Sequence, residues 1–288
     1  MSPAIFKQNE VIKLSLQMAV LASGSSGNSI YVAGEGTEIL IDAGLSGREI
    51  KKRLERIERN PEDLDALLLT HEHSDHINGA GVLSRRYELP IFASPGTLSA
   101  CSEKLGEVSL GGKISAGGSY RMGDLQVDCF SLPHDASEPI GFTIECGGDK
   151  FGLATDIGQV TEEIRTKLAG LDLLVLEANH DEDLLRTGSY PDFLKRRIRG
   201  QRGHLSNMEA ARLLPQLLSF DGDRKPVIVL SHLSEENNRP ELAYISVKNS
   251  LREAGWEVGE DVVLACASRK EAEEIHHYRT DCRGGIVD

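Results

Sequence analysis

A short histidine-rich run, Thr70–His76, constrains this chain more than any other feature of its sequence. The run follows Leu64–Leu69 directly, and a short apolar segment of this kind is typical of a buried strand. In an extended segment, side chains two residues apart point to the same side, so His71 and His73 can bind one metal ion together. Imidazole nitrogens are suitable ligands for divalent metals. The sequence therefore predicts a metal site at the end of a strand.

Asp75 and His76 lie slightly later, near the start of a predicted helix, and point elsewhere. They can serve a second ion about 3.5–4 Å from the first, which is the spacing of two-metal hydrolytic sites. Ligands of this kind suit zinc first, with manganese or iron as alternatives. Because four residues cannot complete two metal sites, the missing ligands are expected from other parts of the chain.

Other predicted strands are also followed by residues that can bind metal. Asp42 follows Glu38–Ile41, His134 follows Leu125–Phe130, Asp156 follows Lys150–Ala154, the segment Glu177–His180 follows Leu171–Leu176, and His232 follows Val227–Leu230. In layered α/β proteins, functional groups collect in loops at one edge of the sheets. We therefore expect His134, Asp156 and His232 to supply the missing ligands, with Asp156 able to bridge both ions. Asp156 could instead cap a helix over Ile157–Leu168.

Helical spacing separates several of these strands and continues towards the end of the chain. The predicted helices are Gly47–Arg59, Gly79–Tyr87, Leu242–Ala254 and Lys270–Tyr278. No segment looks like a linker or a low-complexity tract, so we predict one domain over residues 1–288. Its core is expected at about residues 14–268, with a C-terminal helix and tail at residues 269–288.

The composition is that of a cytoplasmic protein with no membrane partner. No apolar stretch approaches the roughly 18 residues of a membrane helix, and Met1–Glu10 has no signal-peptide core. The 5 cysteines are scattered without a Cys-x-x-Cys pair, as expected for thiols in a reducing compartment.

The net charge of −13 argues against broad, nonspecific adhesion to nucleic acid. One basic run, just before His204, is a local exception. Its members are Lys195, Arg196, Arg197, Arg199 and Arg202. The planar forks of arginine suit phosphate oxygens, so the run can bind a phosphodiester. A solvated helix face is an equally good interpretation of the same pattern.

The combined pattern resembles the metallo-β-lactamase superfamily over about residues 15–235. The motif His71-x-His73-x-Asp75-His76 is preceded by Asp42 and followed by His134, Asp156 and His232. The resemblance implies an α/β fold, an αββα four-layer sandwich with a dinuclear metal site at one sheet edge. It assigns His71, His73 and His134 to one metal, Asp75, His76 and His232 to the other, Asp156 to both, and Asp42 to orienting the loop.

Several shorter segments resemble the YycJ/WalJ-type subgroup of this superfamily. They are Ala22–Ser29, Glu177–His180, Gly203–Asn207 and Leu230–Asn238. The resemblance implies a 5′-exonuclease-like phosphodiesterase, in which a metal-activated hydroxide attacks the phosphorus atom of a nucleic acid. The shorter Gly203–Ser206 segment is also similar to the substrate-side histidine loop of ribonuclease Z relatives.

Chemical roles follow for residues in and around these motifs. Asp75 and Asp156 are the predicted catalytic carboxylates, and His204 is the candidate general acid or oxyanion stabiliser. The residues expected to support the site or the substrate are Asp42, Ser25, Asn28, His180 and Arg202. A purely structural role is the alternative for each of these positions and for His204.

Two other function classes stay open. A small-molecule hydrolase of the same fold would act on a cyclic phosphate diester, a thioester or a lactone. A metal-binding or redox protein is the third class, since related folds host di-iron oxygen chemistry, although the chain after Trp256 is too short for a flavodoxin-like partner domain. The sequence leaves open DNA against RNA, the direction of cleavage and the oligomeric state.

Overall fold

The two β-sheets of this protein pack face to face because each sheet turns apolar side chains towards the other. The structure, a computed structural model, describes residues 16–219 and 225–267 in full and the backbone of residues 276–279. Within these residues, each sheet has 7 strands. Helices cover the outer faces of both sheets.

Most of the strands are short and apolar, as strands buried on both faces are. In chain order they are β1 (Gln17–Ala22), β2 (Ser29–Ala33), β3 (Glu38–Ile41), β4 (Ala66–Leu68), β5 (Ile91–Ala93), β6 (Leu110–Lys113), β7 (Ser119–Met122), β8 (Leu125–Ser131), β9 (Ile140–Cys146), β10 (Asp149–Ala154), β11 (Leu173–Glu177), β12 (Val227–Ser231), β13 (Val263–Cys266) and β14 (His276–Arg279). The first sheet has the order β14-β1-β2-β3-β4-β5-β6. The second has the order β13-β12-β11-β10-β9-β8-β7.

The helices connect strands of the same sheet. They are α1 (Gly47–Arg56), α2 (Ser74–Ile77), α3 (Ala80–Tyr87), α4 (Pro95–Leu105), α5 (Glu162–Leu168), α6 (Glu182–Thr187), α7 (Asp192–Ile198), α8 (Asn207–Leu217) and α9 (Pro240–Glu253). A short 3-10 turn, Pro61–Asp63, precedes β4. Among the residues described, no helix is long and apolar enough to cross a membrane.

Three apolar clusters hold the layers together. One fills the space between the sheets and includes the buried side chains of Val20, Phe142 and Phe151. A second packs α5, α8 and α9 on the outer face of the second sheet. A third packs α1, α3 and α4 on the outer face of the first sheet. The layers therefore run α, β, β, α, which confirms the predicted fold class.

Parallel pairing brings the loops of interest to one edge of each sheet. In the first sheet β3, β4 and β5 run parallel, and in the second β10, β11 and β12 run parallel. Strand β8 has the direction of β10, because both pair antiparallel with β9. The carboxyl ends of β3 and β4 thus share one edge, as do those of β8, β10, β11 and β12.

Two predicted helices differ from the structure. The helix predicted for Gly47–Arg59 ends at Arg56, because Glu58 has a left-handed φ of 58°. The helix predicted for Lys270–Tyr278 is wrong at its end, where His276–Arg279 forms a strand paired antiparallel with β1. The preceding part of that segment lies outside the described residues. This strand pairs with β1 on the side away from β2, which would otherwise present unpaired backbone groups.

Gly44 lies where three of the site loops touch. Its backbone N–H donates to the carbonyl oxygen of Asn28 at 2.8 Å, and the N–H of Asn28 donates to the carbonyl oxygen of Asp75 at 2.7 Å. A Cβ atom at position 44 would lie 1.7 Å from that carbonyl oxygen of Asp75. Main-chain contacts that only glycine permits therefore lock the loops after β1, β3 and β4 to one another.

The substitution Gly44→Ala is expected to lower the free energy of unfolding by about 2–3 kcal/mol, since overpacking forces the backbone to move. Urea denaturation of the metal-free protein measures the change. Gly36→Ala is the matched control, because nothing lies within 4 Å of a Cβ atom there. The control should lose no stability, and an equal loss in both variants would contradict the proposed close packing.

Candidate metal centre

Three of the predicted site residues begin their loops with an unusual backbone. Asp42, Asp156 and His232 have positive φ angles of 60°, 60° and 54°. This left-handed conformation costs a non-glycine residue roughly 1–2 kcal/mol. Backbone strain of this size concentrates at functional sites, where the surrounding structure holds it in place. All three side chains are buried at the loop-bearing edge of the sheets.

The first group of donors consists of His71 and His73, which follow β4, and His134, which follows β8. One nitrogen from each of the three rings can be chosen so that all lie within 4.8 Å of one another. The Nε2 atom of His134 is 3.3 Å from Nδ1 of His73. Nδ1 of His71 contacts the hydroxyl of Thr70 at 3.0 Å, which leaves Nε2 of His71 for another partner.

The second group consists of Asp75 and His76, both on α2, and His232 after β12. Their candidate ligand atoms also lie within 4.8 Å of one another. Burial raises the pKa of Asp75, but the neighbouring imidazoles of His232 and His76 lower it overall. Asp75 is therefore ionised near neutral pH, as a metal ligand must be.

Asp156 lies between the two groups. Its Oδ2 atom is 3.3 Å from Nε2 of His76, and its Oδ1 atom is 3.7 Å from Nε2 of His134. The alternative role as a helix cap is wrong, because the next helix begins at Glu162 with Thr161 as its cap. The carboxylate is thus placed where it could contact a cation in either group.

Three buried atoms in the cluster have no hydrogen-bond partner among the described residues. They are Nε2 of His71, Oδ2 of Asp156 and Nε2 of His232. An unpaired buried polar atom costs about 1–3 kcal/mol, so native proteins rarely leave several of them together. Burial lowers the pKa of His71 well below its usual value and keeps its ring neutral. Nitrogen and oxygen donors arranged in this way fit divalent metal ions.

Asp42 holds His76 in place. Its Oδ2 atom accepts hydrogen bonds from Nδ1 of His76 at 2.7 Å and from the hydroxyl of Thr70 at 2.8 Å. The geometry puts the proton on Nδ1, and Nε2 of His76 then faces Asp156. Burial lowers the pKa of His76, but the charges of Asp42 and Asp156 raise it to about 10. Cation binding at His76 would therefore release a proton.

Glu177, the last residue of β11, holds two other histidines in place. It is not among the site residues predicted from the sequence. Its Oε1 atom is 2.8 Å from Nδ1 of both His204 and His232. Its Oε2 atom accepts from the backbone N–H groups of Ile157 and Leu205. An acidic residue closing the buried apolar strand Leu173–Glu177 is the sequence signal that could have revealed it.

The ionisation of Glu177 follows from these contacts. Burial raises its pKa, but the charge of His204 and hydrogen bonds from His204 and His232 lower it to about 2. Glu177 is therefore a fully buried carboxylate anion. It orients one candidate metal ligand and the candidate general acid with a single oxygen atom.

A cavity of about 250 Å³ opens onto the cluster. The predicted residues that line it are Ser25, His73, Asp75, His134, Asp156, Arg202, His204 and His232. Arg202 also donates from Nε to the carbonyl oxygen of His134 at 2.8 Å, so it supports that loop as well. Gly203 accepts a hydrogen bond from Nδ1 of His134 at 3.2 Å, which ties the loop before His204 to the same donor.

Besides the buried His71, His76 and Asp42, two predicted residues do not line this cavity. Asn28 contacts the donors from behind, with Nδ2 at 3.0 Å from Nε2 of His76 and 3.3 Å from Oδ2 of Asp75. His180 lines a different cavity, together with Arg186 and Arg199. Burial lowers the pKa of His180 to about 4, so its ring is neutral. The structure does not bring His180 to the donor cluster.

This fold with this donor set defines a metal-dependent hydrolase. A family model for the beta-lactamase superfamily domain matches residues 37–230. Exodeoxyribonuclease YycJ of Bacillus anthracis is 40% identical over 249 residues, covering 86% of this chain and 93% of that protein. Exodeoxyribonuclease WalJ of Streptococcus pneumoniae is 42% identical over 253 residues, with the same two coverages.

The chain belongs to the β-lactamase superfamily and, within it, to the group that contains the YycJ and WalJ proteins. The solved structure of zinc-bound PqqB from Methylobacterium extorquens superposes with a TM-score of 0.61 at 20% identity. That match covers 85% of this chain and 98% of the PqqB chain, and it shows the shared fold alone. The prediction of a metal-dependent hydrolase is confirmed.

Glu177→Gln is expected to lower metal affinity about 10- to 100-fold, because a neutral amide holds the two imidazole N–H groups less firmly than a carboxylate. Competition with a chromophoric chelator measures the affinity. Asp128→Asn is the matched control, since that carboxylate in β8 binds Ser119 and Lys167 instead. Unchanged affinity in Glu177→Gln would contradict its supporting role.

Proposed function

We propose that this protein is an exodeoxyribonuclease that uses two zinc ions to hydrolyse DNA phosphodiesters from a 5′ end. One observation carries the proposal: the donor cluster and two arginines of the basic run, Arg197 and Arg202, line the same cavity. The imidazoles of His73, His134 and His232 contribute to it, and so do the guanidinium-bearing side chains of Arg197 and Arg202. A phosphate in this cavity meets metal-binding and basic groups at once.

The size of the cavity fits a small part of a polymer. Its volume of about 250 Å³ is below the roughly 300–1,000 Å³ of pockets that enclose a drug-sized ligand. One phosphodiester unit can enter while the rest of a strand runs over the surface. The two relatives named as exodeoxyribonucleases align over 86% of this chain, which also favours DNA as the substrate.

The donor chemistry favours zinc. Five imidazoles and two carboxylates suit zinc better than the harder magnesium ion, which prefers oxygen ligands. We assign His71, His73 and His134 to one ion, Asp75, His76 and His232 to the other, and Asp156 to both. Bound zinc ions would lower the pKa of a water molecule and neutralise charge on the phosphate oxygens.

His204 is proposed as the general acid for the leaving oxygen. Its Nδ1–H points at Glu177, so the other ring nitrogen is available to a group in the cavity. The carboxylate of Glu177 stabilises the positive charge that His204 carries when protonated, as buried carboxylates do beside catalytic histidines. Ser25 lines the same cavity and is exposed, so its hydroxyl can contact a phosphate oxygen.

We also propose that the enzyme works as one domain in the cytoplasm. Cys101, Cys129 and Cys146 are buried free thiols within the described part of the chain. Thiols of this kind persist in a reducing compartment.

A substrate panel tests the proposed activity. The zinc-reconstituted enzyme would be offered 5′-phosphorylated and 5′-hydroxyl DNA strands, the same sequence as RNA and as duplex DNA, and bis-p-nitrophenyl phosphate. We expect mononucleotides to be released in order from the 5′ end of DNA, because the cavity admits one unit at a time. Asp75→Ala should lose hydrolysis and bound metal together. Turnover of the small diester alone would contradict the nuclease and favour a small-molecule hydrolase.

His204→Gln is expected to lower kcat on DNA by about 10²- to 10³-fold, because an alkoxide leaving group needs a proton. The loss on bis-p-nitrophenyl phosphate should be smaller, about 10-fold or less, since p-nitrophenolate leaves without protonation. His180→Gln is the control, because this buried histidine lies outside the cavity. Equal losses on both substrates in His204→Gln would mean that His204 supports the site without acting as an acid.

A further inference from the structure

We propose that helix α7 holds single-stranded DNA just outside the metal cavity, with the ring of Phe193 stacked on a base and neighbouring arginines on the phosphates. The proposal rests on the proposed nuclease function and adds the form of DNA that the enzyme recognises. It assigns a binding role to a surface that the metal chemistry does not use.

Phe193 is the first observation. Its side chain is 67% exposed, and it is the only aromatic residue among the exposed large hydrophobic residues in the described chain. A single exposed apolar side chain is ordinary by itself. The position of this one is not, because it lies on the same helix as Leu194, Arg197 and Ile198, which line the metal cavity.

Helical spacing connects the ring to the cavity. Residues three and four positions apart share one side of a helix, so Phe193 neighbours Arg196 and Arg197. Arg197 lines the cavity as well, and Tyr190 lines it just before the helix begins. Aromatic and basic groups therefore continue from the mouth of the cavity along α7 to the surface.

The charge of this segment fits a nucleic acid backbone. Residues 186–202 contain six basic residues and one acidic residue, in a chain whose net charge is −13. Arg197 pairs with Asp135 at 2.9 Å, with side chains 60% and 54% exposed. An ion pair this exposed contributes only about 0–1 kcal/mol, so a phosphate can replace Asp135 as the partner of Arg197.

Stacking requires a base whose face is open. Inside a duplex, each base is covered by its neighbours and held in its pair, whereas a single strand offers its bases to aromatic side chains. Stacking of this kind is worth about 1–3 kcal/mol per base. Phe193 beside a cavity for one phosphodiester is therefore placed to grip a nucleotide close to the bond that is cleaved, and to favour single strands over duplex.

The test compares Phe193→Ala with the wild-type enzyme, both full-length and loaded with zinc. The readout is kcat/KM on a single-stranded DNA oligonucleotide divided by kcat/KM on bis-p-nitrophenyl phosphate. We expect Phe193→Ala to lower this ratio about 5- to 10-fold, mainly through KM on DNA. Phe193→Trp should keep the ratio within about 2-fold, because its ring also stacks. Ile245→Ala, at a 53% exposed position on α9, is the matched control and should leave the ratio unchanged.

Strands with a single abasic site, moved one position at a time from the 5′ end, give the sharper readout. An abasic site at one position should lower kcat/KM of the wild-type enzyme by the same factor that Phe193→Ala loses on the intact strand. At that position, the abasic site should leave kcat/KM of Phe193→Ala unchanged. A ratio unaffected by Phe193→Ala, or abasic profiles that match in the two proteins, would overturn the role of α7 while leaving the nuclease intact. Wild-type turnover of the small diester with no cleavage of any strand would overturn the nuclease function, and this proposal with it.

Discussion

The metal centre depends on one constraint: strands from both sheets end at the same edge of the sandwich. The apolar cluster between the sheets sets their separation, and polar contacts close the edge above it. The hydroxyl of Ser23, after β1, lies 3.0 Å from that of Ser231, at the end of β12. The Ser23 hydroxyl also accepts a hydrogen bond from the backbone N–H of His232 at 2.7 Å. Donors from the first sheet can face donors from the second only because this packing fixes the two loop edges together.

Each sheet supplies one buried carboxylate that hydrogen-bonds to histidines of the site but is not itself in either group of candidate metal ligands. Asp42 ends the β3 segment of the first sheet and holds His76, and Glu177 ends β11 of the second sheet and holds His204 and His232. Both carboxylates select the tautomer that leaves Nε2 directed into the site. Backbone N–H groups and the histidines themselves hydrogen-bond to the oxygen atoms of both buried side chains. Folding and metal affinity are therefore linked through the same few hydrogen bonds.

The distribution of charge fits the proposed action of an acidic protein on an acidic polymer. A net charge of −13 repels DNA, so the proposed association with DNA is confined to the face where Arg197 of α7 and Arg202 line the cavity. Strained backbone at Asp42, Asp156 and His232 lies behind that face. The buried part of the site thus holds the candidate metal ligands, and the proposed contacts with DNA lie on its exposed part.

Much of this arrangement is readable in the amino-acid sequence. The sequence by itself determined the candidate donors His71, His73, Asp75 and His76 and the strand that presents them, because ligand chemistry and the periodicity of a strand are local properties. It placed Glu177 at a strand end but could not give its role, which exists only because β11 and β12 are parallel neighbours and the loop before α8 folds over them. It also could not show that His180 lies outside the metal cavity, since a histidine just past a strand end looks the same in sequence whether or not it lines the cavity. Those distinctions were decided by tertiary packing, which alone fixes the direction in which each side chain leaves the edge of the sheets.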